Sequence, residues 1–426
     1  MLDIKFIIEN KELVKHSIKE RNLSIELESI IQMYEDLKRL RIEMDSKRAE
    51  SNQIAKKNSF QSTHDSEDLD KNRGIELKKE LALLKDQEEK IAEQYKDAIL
   101  LIPNILPKDT PTGKNDEENL VLKTFLTPTK FSFKPKDHLE LAAELDLLDF
   151  EAGAKVSGGK FYFLKNEAVM LEAALKQYAM RVAAKHGYTM LQTPDLTKSK
   201  FLQGIGFSPR GSESNTYHVA EHDLVLVATA EVAVAGLHAD EIIDLDKLPL
   251  KYVAESHCFR TEAGAAGKAD KGLYRVHQFS KIELFQITTP DMSEAALEEI
   301  LAIEEEIYKG LELPYRVVRI CAGDLGAPAY KKYDIEAWMP GKNGGQYGEV
   351  TSASNCTAFQ ARRLNIKFKD KDKKNQFAHT LNGTAVALSR TPIAILENYQ
   401  NEDGSVTIPT VLRPFMGIEK ISRKRL

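Results

Sequence analysis

Residues 259–285 decide the fold, and they read FRTEAGAAGKADKGLYRVHQFSKIELF. The two ends alternate apolar and polar residues as strands do, and the middle is rich in glycine and lysine. We therefore expect two antiparallel strands joined by a charged, glycine-rich loop. The arginines at the ends of the loop give this hairpin the means to hold a polyanion.

Three side chains of this stretch suit a nucleotide. Arg260 can bind a carboxylate or a phosphate through two parallel hydrogen bonds. Glu262 is expected on the same strand face, where it can orient Arg260 or accept from an exocyclic amine. Phe279 is placed to stack on a base. Each alone is more often an ordinary surface residue, but the combination favours a nucleotide site.

Two segments further along the chain add to this site. Residues 348–352 read GEVTS, and the carboxylate of Glu349 with the hydroxyl of Ser352 suits Mg²⁺, which takes few protein oxygens and relies on phosphates for the rest. Arg390 is expected on the second turn of a helix over residues 384–398, where it can reach a terminal phosphate. The chain has no P-loop and no GxGxxG after a strand, so neither of those folds holds the nucleotide.

Composition narrows the class of protein. The 426 residues, 42% of them hydrophobic, are enough for one large cored domain and a second element. The net charge of −5 excludes a uniformly basic nucleic-acid binder. The three cysteines, Cys258, Cys321 and Cys356, form no CxxC pair, so we expect no disulfide framework, no zinc site and a reducing compartment. Without a signal segment or a membrane-length apolar run, a cytoplasmic protein with no membrane partner is expected.

The composition changes near residue 105, and prolines at 103, 107 and 111 predict a linker. We place the domains at 1–110 and 111–426. In the first, two heptad stretches predict an antiparallel two-helix coiled coil, joined by about ten residues at 58–68. In the second, β-rich runs alternate with helices near 168–186 and 293–311 without βαβ spacing. The predicted fold class is therefore α+β, with a mainly antiparallel sheet flanked by helices.

The coiled coil carries a local excess of positive charge. Between Lys38 and Lys57 there are seven basic and three acidic residues, which is locally +4. Such an excess suits a phosphate backbone, although a solvated coiled-coil face or a protein-binding hairpin has a similar composition. A long isolated hairpin joined to a catalytic-looking domain favours nucleic acid. The predicted contacts are Lys38, Arg39, Arg41, Lys47 and Arg48.

Taken together, these segments resemble seryl-tRNA synthetases of the bacterial type, a family of class II aminoacyl-tRNA synthetases. The resemblance covers nearly the whole chain and includes the hairpin, Ile102-Pro-Asn104, Thr229-Ala-Glu231, residues 258–284, Glu349-Val-Thr-Ser352 and residues 380–400. Residues 174–194, 259–285 and 383–392 resemble motifs 1, 2 and 3 of class II enzymes, and motif 1 builds the dimer interface in that class.

The resemblance implies a homodimeric ligase that activates L-serine with ATP and Mg²⁺ and transfers it to the 3′ end of serine tRNA. It implies that the hairpin binds the long variable arm of that tRNA. The implied catalytic residues are Arg260 on the α-phosphate and the serine carboxylate, Arg390 on the γ-phosphate, and Glu349, which with Ser352 holds Mg²⁺. The remaining ATP-site residues are Thr261, Glu262, Arg275, Val276, Phe279, Val350 and Thr351. The implied serine pocket is Thr229, Ala230, Glu231, Arg260, Glu283, Asn382 and Thr384, with Glu283 on the serine hydroxyl.

Two segments depart from the commoner form of the family. Residues 204–217 read GIGFSPRGSESNTY in place of a Leu-Pro-Lys-Phe type segment, and Arg210 could supply a basic contact there. Lys268 and Lys271 stand where arginines are usual, and lysine lacks the fork geometry of arginine. Two other functions stay open: a non-catalytic RNA-binding or coiled-coil protein that kept the fold, and a ligase for another small amino acid or for a carrier protein. The intact arginines argue against the first, and the hairpin argues against the second.

Overall fold

The computed structural model describes residues 1–60, 64–206, 215–262 and 272–423, without the side chains of 57–60 and 64–69. The chain forms two compact units, Met1–Pro103 and Asn104–Leu426. None of the helices in these described ranges is both long and apolar enough to cross a membrane.

The first unit contains the predicted helical hairpin. Its helices are α1 (Ile4–Glu9), α2 (Lys11–Glu20), α3 (Leu27–Phe60) and α4 (His64–Leu101). The heptad positions Ile30, Leu37, Leu40 and Met44 of α3 are buried, as is Leu77 of α4. The prediction of a ten-residue connection at 58–68 was wrong, because the two helices extend into it from both sides. That stretch contains neither glycine nor proline, so the residues at its two ends can continue the helices.

Ion pairs join the two long helices where the seam is polar. Nζ of Lys47 lies 2.6 Å from Oε2 of Glu80, and Nη2 of Arg41 lies 2.8 Å from Oε1 of Glu88. Nearer the tip, Arg73 of α4 binds Glu50 of α3 at 2.8 Å. Solvent screens pairs of this kind, so they add little to stability. They match charge across the seam and so favour one register of the hairpin.

The second unit is built on a mixed set of strands. These are β1 (Leu120–Phe125), β2 (Leu148–Asp149), β3 (Phe163–Leu164), β4 (Thr189–Gln192), β5 (Leu196–Thr197), β6 (Val225–Leu226), β7 (Ile242–Ile243), β8 (Leu250–Phe259), β9 (Gln278–Thr288), β10 (Tyr315–Arg319), β11 (Lys331–Met339), β12 (Gln346–Asn355), β13 (Lys367–Lys369), β14 (Asn375–Phe377), β15 (His379–Ala387), β16 (Val406–Thr407) and β17 (Lys420–Ile421). The main sheet has eight strands in the order β1-β10-β11-β12-β15-β9-β8-β4. Every neighbouring pair is antiparallel except β4 with β8, which confirms the predicted sheet.

Helices cover this sheet. They are α5 (His138–Leu145), α6 (Phe150–Ser157), α7 (Glu167–Lys185), α8 (Ser199–Ile205), α9 (Ala230–Leu237), α10 (Ser293–Gly310), α11 (Phe359–Leu364), α12 (Thr391–Asn398) and α13 (Arg413–Met416). Ile282 and Leu284 of β9 pack into one core with α7 and α10. Phe285 and Ile287 pack into a second core with α8 and α9. Because strand side chains alternate, Phe279, Lys281 and Glu283 share the face of Phe285, away from α7 and α10.

A glycine in β15 lets α10 approach the sheet closely. A Cβ atom at Gly383 would lie 2.3 Å from Cγ2 of Ile300 and 2.8 Å from Oε1 of Glu304, both on α10. Any side chain there would push the helix away and open the core. The close approach also brings Glu304 within 2.8 Å of the Thr351 hydroxyl, which donates to it from β12.

Asn104 anchors the start of the second unit. Its side-chain amide donates to the carbonyls of Pro328 and Cys356 and contacts the Thr357 hydroxyl, each at 3.0 Å. Its backbone N–H donates to the carbonyl of Ala327 at 2.8 Å. The buried amide of Asn104 is therefore satisfied by hydrogen bonds inside the fold.

Two local predictions were wrong. The stretch 384–398 is not one helix: its first residues complete β15, and α12 begins only at Thr391, so Arg390 is the N-cap rather than a second-turn residue. β15 extends this far because residues up to Ala387 pair with β9, and Pro392 suits the first turn of the new helix. Because Thr229 and Glu231 follow an apolar run, the sequence also predicts a strand with the Thr229 hydroxyl and the Glu231 carboxylate on one face. Instead, Thr229 is the N-cap of α9, and its hydroxyl accepts from the N–H of Glu231.

Candidate active site

Two adjoining cavities open on the sheet face that carries Phe279 and Lys281. The inner cavity has a volume of about 230 Å³ and the outer one about 690 Å³. They share the wall residues Tyr274, Arg275, Lys332, Glu349 and Arg390. The inner wall contains ten of the eleven predicted ATP-site residues, Thr261 being the exception. The N–H of Thr261 instead donates to the carbonyl of Asn215.

Arg260 and Phe279 form one wall of the inner cavity. The guanidinium carbon of Arg260 lies 5.3 Å from the centre of the Phe279 ring, and its N–H groups reach the carbonyl of Ala228 at 3.4 Å. The backbone is fixed as well, since the carbonyl of Arg260 contacts Nδ1 of His277 at 2.8 Å. The arginine is therefore held against an aromatic face by long, weak hydrogen bonds that a ligand anion can replace.

Glu262 occupies a different position from the predicted one. β8 ends at Phe259, and the backbone at Glu262 is left-handed, with φ of +53°. This turn directs the carboxylate to Arg275, which it binds at 2.6 Å. Glu262 is therefore paired across the base of the loop and does not orient Arg260.

A β-bulge brings Glu349 and Ser352 together. In a regular strand, residues three apart point to opposite faces. Here the register shifts between Ile335 and Glu336, so that Glu349 lies opposite Glu336 and Ser352 lies opposite Asp334. Because Glu336 and Asp334 are two apart on β11, Glu349 and Ser352 share a face, and both line the inner cavity. A bulge thus makes the predicted carboxylate–hydroxyl pair geometrically possible.

Arg390 and Glu349 form the ion pair between the two cavities. Nη1 of Arg390 lies 3.1 Å from the Glu349 carboxylate, and the guanidinium lies 4.7 Å from the centre of the Tyr274 ring. Burial acts to raise the pKa of Glu349. The positive charges of Arg390 and then Lys332 outweigh burial and lower that pKa to about 2. Burial raises the pKa of the neighbouring Asp334 to about 8 despite the opposing charge of Lys332.

The predicted serine pocket divides into two groups. Arg260 and Thr384 line the inner cavity. Outside the wall of the inner cavity lie Thr229, Ala230, Glu231, Glu283 and Asn382, of which all but Asn382 are buried. The two groups are connected, because the Thr384 hydroxyl contacts the Glu283 carboxylate at 3.4 Å and Arg260 contacts Ala228, the residue before Thr229.

Glu231 is surrounded by amide donors. Its Oε1 accepts from the side chain of Gln360 at 2.7 Å and from that of Asn382 at 2.8 Å. Burial, and next the charge of Glu283, raises the pKa of Glu231 to about 7 in spite of these donors. Gln360 was not predicted from the sequence. Its own carbonyl accepts from the Thr380 hydroxyl at 2.7 Å, which fixes the orientation of the amide toward Glu231.

Lys281 is a second residue that sequence reasoning did not assign. Its ammonium lines the inner cavity and pairs with the Glu283 carboxylate at 2.5 Å. Burial raises the pKa of Glu283, and Lys281 opposes that rise. The alternation of Lys281 and Glu283 on one strand face was the available signal, because two opposite charges turned toward a core are rarely left unpaired.

Other predicted contacts lie outside this site or outside the described ranges. Lys268, Lys271 and Arg210 fall on residues that the structure does not describe. The five basic residues of α3 belong to the first unit and all form ion pairs. Arg41 and Lys47 pair with α4, whereas Lys38, Arg39 and Arg48 pair with acids three positions earlier on α3.

The inner cavity suits a polyanion with a metal ion. Five cationic side chains line it, Arg260, Arg275, Lys281, Lys332 and Arg390, against the carboxylates of Glu262 and Glu349. Among the described residues, no cluster of three or more His, Cys, Asp or Glu side chains could enclose a metal ion. The pair Glu349 and Ser352 fits a hard cation that takes most of its oxygens from phosphates or water.

Comparison with known proteins identifies both units. Residues 1–106 match the model of the seryl-tRNA synthetase N-terminal domain, and residues 216–399 match that of the tRNA synthetase class II core domain (G, H, P, S and T). A serine–tRNA ligase of Treponema denticola is 50% identical over 99% of this chain and 100% of its own length. One from Rubrobacter xylanophilus is 47% identical over 100% of both chains.

Solved structures agree with these matches. The seryl-tRNA synthetase of Pyrococcus horikoshii complexed with ATP has a TM-score of 0.90 at 40% identity and covers 100% of both chains. The cytoplasmic serine–tRNA ligase of Naegleria fowleri in complex with AMP has a TM-score of 0.84 at 31% identity, over 100% of this chain and 99% of its own.

The surroundings of Glu231 lead to a prediction about its titration. In the ligand-free protein, the carboxyl should ionise with a midpoint near pH 7, and Q360L should raise that midpoint by about one unit because one donor to the anion is lost. Infrared difference spectra recorded between pH 5 and 9 measure this, with E231Q to assign the band. The exposed glutamine variant Q376L serves as the control. A midpoint near 4.5, or one that Q360L leaves in place, would contradict the prediction.

Proposed function

The chain belongs to the seryl-tRNA synthetase family, and we propose that it activates L-serine with ATP and transfers the seryl group to the 3′ end of serine tRNA. The observation that carries this proposal is the inner cavity. It places Arg260, Phe279, Glu349 and Arg390 around one volume, and those residues come from three separate segments of sequence.

ATP is bound in this proposal with its adenine on Phe279. Arg260, which lies over the same ring, reaches the α-phosphate and the serine carboxylate, and Arg390 reaches the γ-phosphate. Glu262 holds the adenine edge from its place beside Arg275, and the remaining wall is Val276, Val350 and Thr351. The two arginines mark the two ends of the triphosphate, so the nucleotide is positioned by charges fixed before it arrives.

Glu349 and Ser352, on the shared face that the bulge creates, would hold Mg²⁺. The ion would supply positive charge to the phosphates. The low pKa of Glu349 keeps its carboxylate ionised throughout the neutral range, so the protein ligand for the cation is always available.

Serine activation needs positioning more than proton transfer. The serine carboxylate is already an anion and attacks the α-phosphorus, while the bridging oxygen leaves with pyrophosphate. No general base is required, and Arg260 brings the two anionic groups together by binding both. The charge that develops on the leaving group is met by Arg390 at the other end of the cavity.

Selection of serine depends on the buried carboxylates of Glu283 and Glu231, which lie behind the wall of the inner cavity. Glu283 accepts from the serine hydroxyl, and alanine or glycine would leave that carboxylate without its donor, which costs about 10⁴-fold in such sites. Glu231 and Thr229 receive the serine ammonium. With a pKa of about 7, Glu231 is only partly ionised near neutrality, and the substrate ammonium favours its charged form.

The remaining parts of the proposal concern partners. The hairpin binds the long variable arm of serine tRNA through Lys38, Arg39, Arg41, Lys47 and Arg48. Two copies of the chain associate through α7 and β4. The compartment is the cytoplasm, where ATP and tRNA are found and where the three buried thiols stay reduced.

Pyrophosphate exchange tests the catalytic proposal. Purified protein should show serine-dependent exchange between ATP and pyrophosphate, and R390A should reduce its rate by about 10² or more, because one fixed charge on the leaving group is lost. R423A, an exposed arginine at the surface, should match wild type. Absence of exchange would contradict the proposal and favour a non-catalytic RNA-binding protein. Exchange that depends on alanine, glycine or threonine instead of serine would favour a ligase for another amino acid.

Charge reversal on the hairpin tests the tRNA contact. Arg39 and Arg48 are 74% and 57% exposed, and among the described side chains their ion pairs lie within α3. R39E/R48E should therefore leave the hairpin folded and serine-dependent exchange unchanged. Aminoacylation of serine tRNA should fall by about tenfold or more, with a weaker salt dependence. The matched reversal K85E/K90E on α4, where both lysines are likewise exposed, should have a much smaller effect. Equal losses of aminoacylation in R39E/R48E and K85E/K90E would contradict a tRNA contact on α3.

A charged substitution at the sheet edge tests the dimer. Met190 of β4 is 47% exposed on an edge strand, and Val169 and Met170 of α7 are also exposed. Exposed apolar residues on an edge strand favour association. Sedimentation equilibrium should give a dimer for wild type and a monomer for M190E, whereas M292E, at a methionine that is 49% exposed elsewhere, should stay dimeric. A monomeric wild type would contradict the proposal.

A further inference from the structure

We propose that Lys342 is a further phosphate-binding residue, which together with Arg390 holds the β- and γ-phosphates of ATP and the pyrophosphate that leaves. Lys342 lies on the turn between β11 and β12 and lines the outer cavity. Its ammonium is 4.1 Å from the centre of the Tyr274 ring, and the guanidinium of Arg390 is 4.7 Å from the same centre. This inference rests on the proposed function, since it assigns a role in that reaction.

The turn that carries Lys342 is held in place by hydrogen bonds. The N–H of Lys342 donates to the carbonyl of Met339 at 3.2 Å, and its carbonyl accepts from the N–H of Gly345 at 2.9 Å. The N–H of Gly341 donates to Oε2 of Glu397 at 2.8 Å. A backbone fixed on both sides of Lys342 limits where its ammonium can reach.

Glu397 couples this turn to Arg390. The Glu397 side chain is buried, and its other oxygen accepts from the N–H of His138 at 3.0 Å. Glu397 lies on the last turn of α12, and Arg390 is the N-cap of the same helix. The helix α12 therefore positions both cations: it carries Arg390 directly, and through Glu397 it holds the turn that carries Lys342.

Both cations lie against the ring of Tyr274. A Cβ atom at Gly348 would lie 3.1 Å from Cε2 and 3.2 Å from the hydroxyl of Tyr274, so the ring packs on the bare backbone of β12. An aromatic face attracts an ammonium group and leaves its N–H donors directed elsewhere. Lys342 can therefore lie on the ring and donate to a phosphate oxygen at the same time.

The chemistry of the leaving group requires cations at this end of the site. As the serine carboxylate oxygen bonds to the α-phosphorus, the bridging oxygen takes the electron pair of the breaking bond and charge accumulates on pyrophosphate. Arg260 serves the α-phosphate, so the charge on the leaving group must be met in the outer cavity. Two of the cations that line the outer cavity, Lys342 and Arg390, lie over the same aromatic ring, that of Tyr274.

Binding and kinetics of K342A test the assignment. Isothermal titration with inorganic pyrophosphate should show about tenfold weaker binding to K342A than to wild type, and the KM for ATP in serine-dependent exchange should rise by a similar factor. The KM for serine should not change, because Lys342 is remote from the serine pocket. K342R should keep most of the affinity, since a positive charge remains.

The control is K371A, a lysine on another exposed turn that lines neither cavity. Tryptophan emission checks the fold, because Trp338 is the only tryptophan of the chain and lines the outer cavity. Pyrophosphate affinity and KM for ATP within twofold of wild type in K342A would overturn the inference while leaving the proposed function intact. Failure of the proposed function is distinguishable, because wild type would then show no exchange.

Discussion

The ion pair between Arg390 and Glu349 is the interaction on which the site depends. It joins the N-terminus of α12 to β12 and separates the inner cavity from the outer one. A guanidinium inside a cavity would lose much of its solvation without a partner, and Glu349 replaces that solvation until a ligand enters. The same arrangement recurs around the cavity: Arg275 pairs with Glu262 and Lys281 pairs with Glu283.

This pairing has a consequence for binding. Arg275, Lys281 and Arg390 are each already oriented by a carboxylate, so a polyanionic ligand need not order these side chains and the entropic cost of binding is reduced. The carboxylates then require new partners, and the proposed ligands supply them. A metal ion would meet Glu349, the serine hydroxyl would meet Glu283, and the serine ammonium would meet Glu231. The ligand-free pairs and the proposed ligand contacts use the same side chains, which makes the site selective for a ligand that satisfies all of them together.

The sequence predicted the parts of this structure that depend on pattern. Heptads predicted the hairpin, and alternation in residues 259–285 predicted the strands that became β8 and β9. It could not predict features set by tertiary contacts. The bulge that aligns Glu349 with Ser352 exists only through the register of β11, and the left-handed backbone of Glu262 redirects its carboxylate to a residue thirteen positions away. Helical propensity extended α12 too far upstream, because pairing of β15 with β9 overrides local preference.

The residues that pattern reasoning missed share one property. Gln360 and Lys281 each act on a predicted residue, Glu231 and Glu283 respectively, and carry no motif of their own. Lys342 is equally inconspicuous as one lysine in a turn, and only the ring it shares with Arg390 distinguishes it. A motif identifies the groups that contact a substrate, but the charge state and orientation of those groups are set by neighbours distant in sequence. Gln360 and Lys281 oppose the burial that raises the pKa of Glu231 and of Glu283, so these neighbours help to determine how the motif residues act.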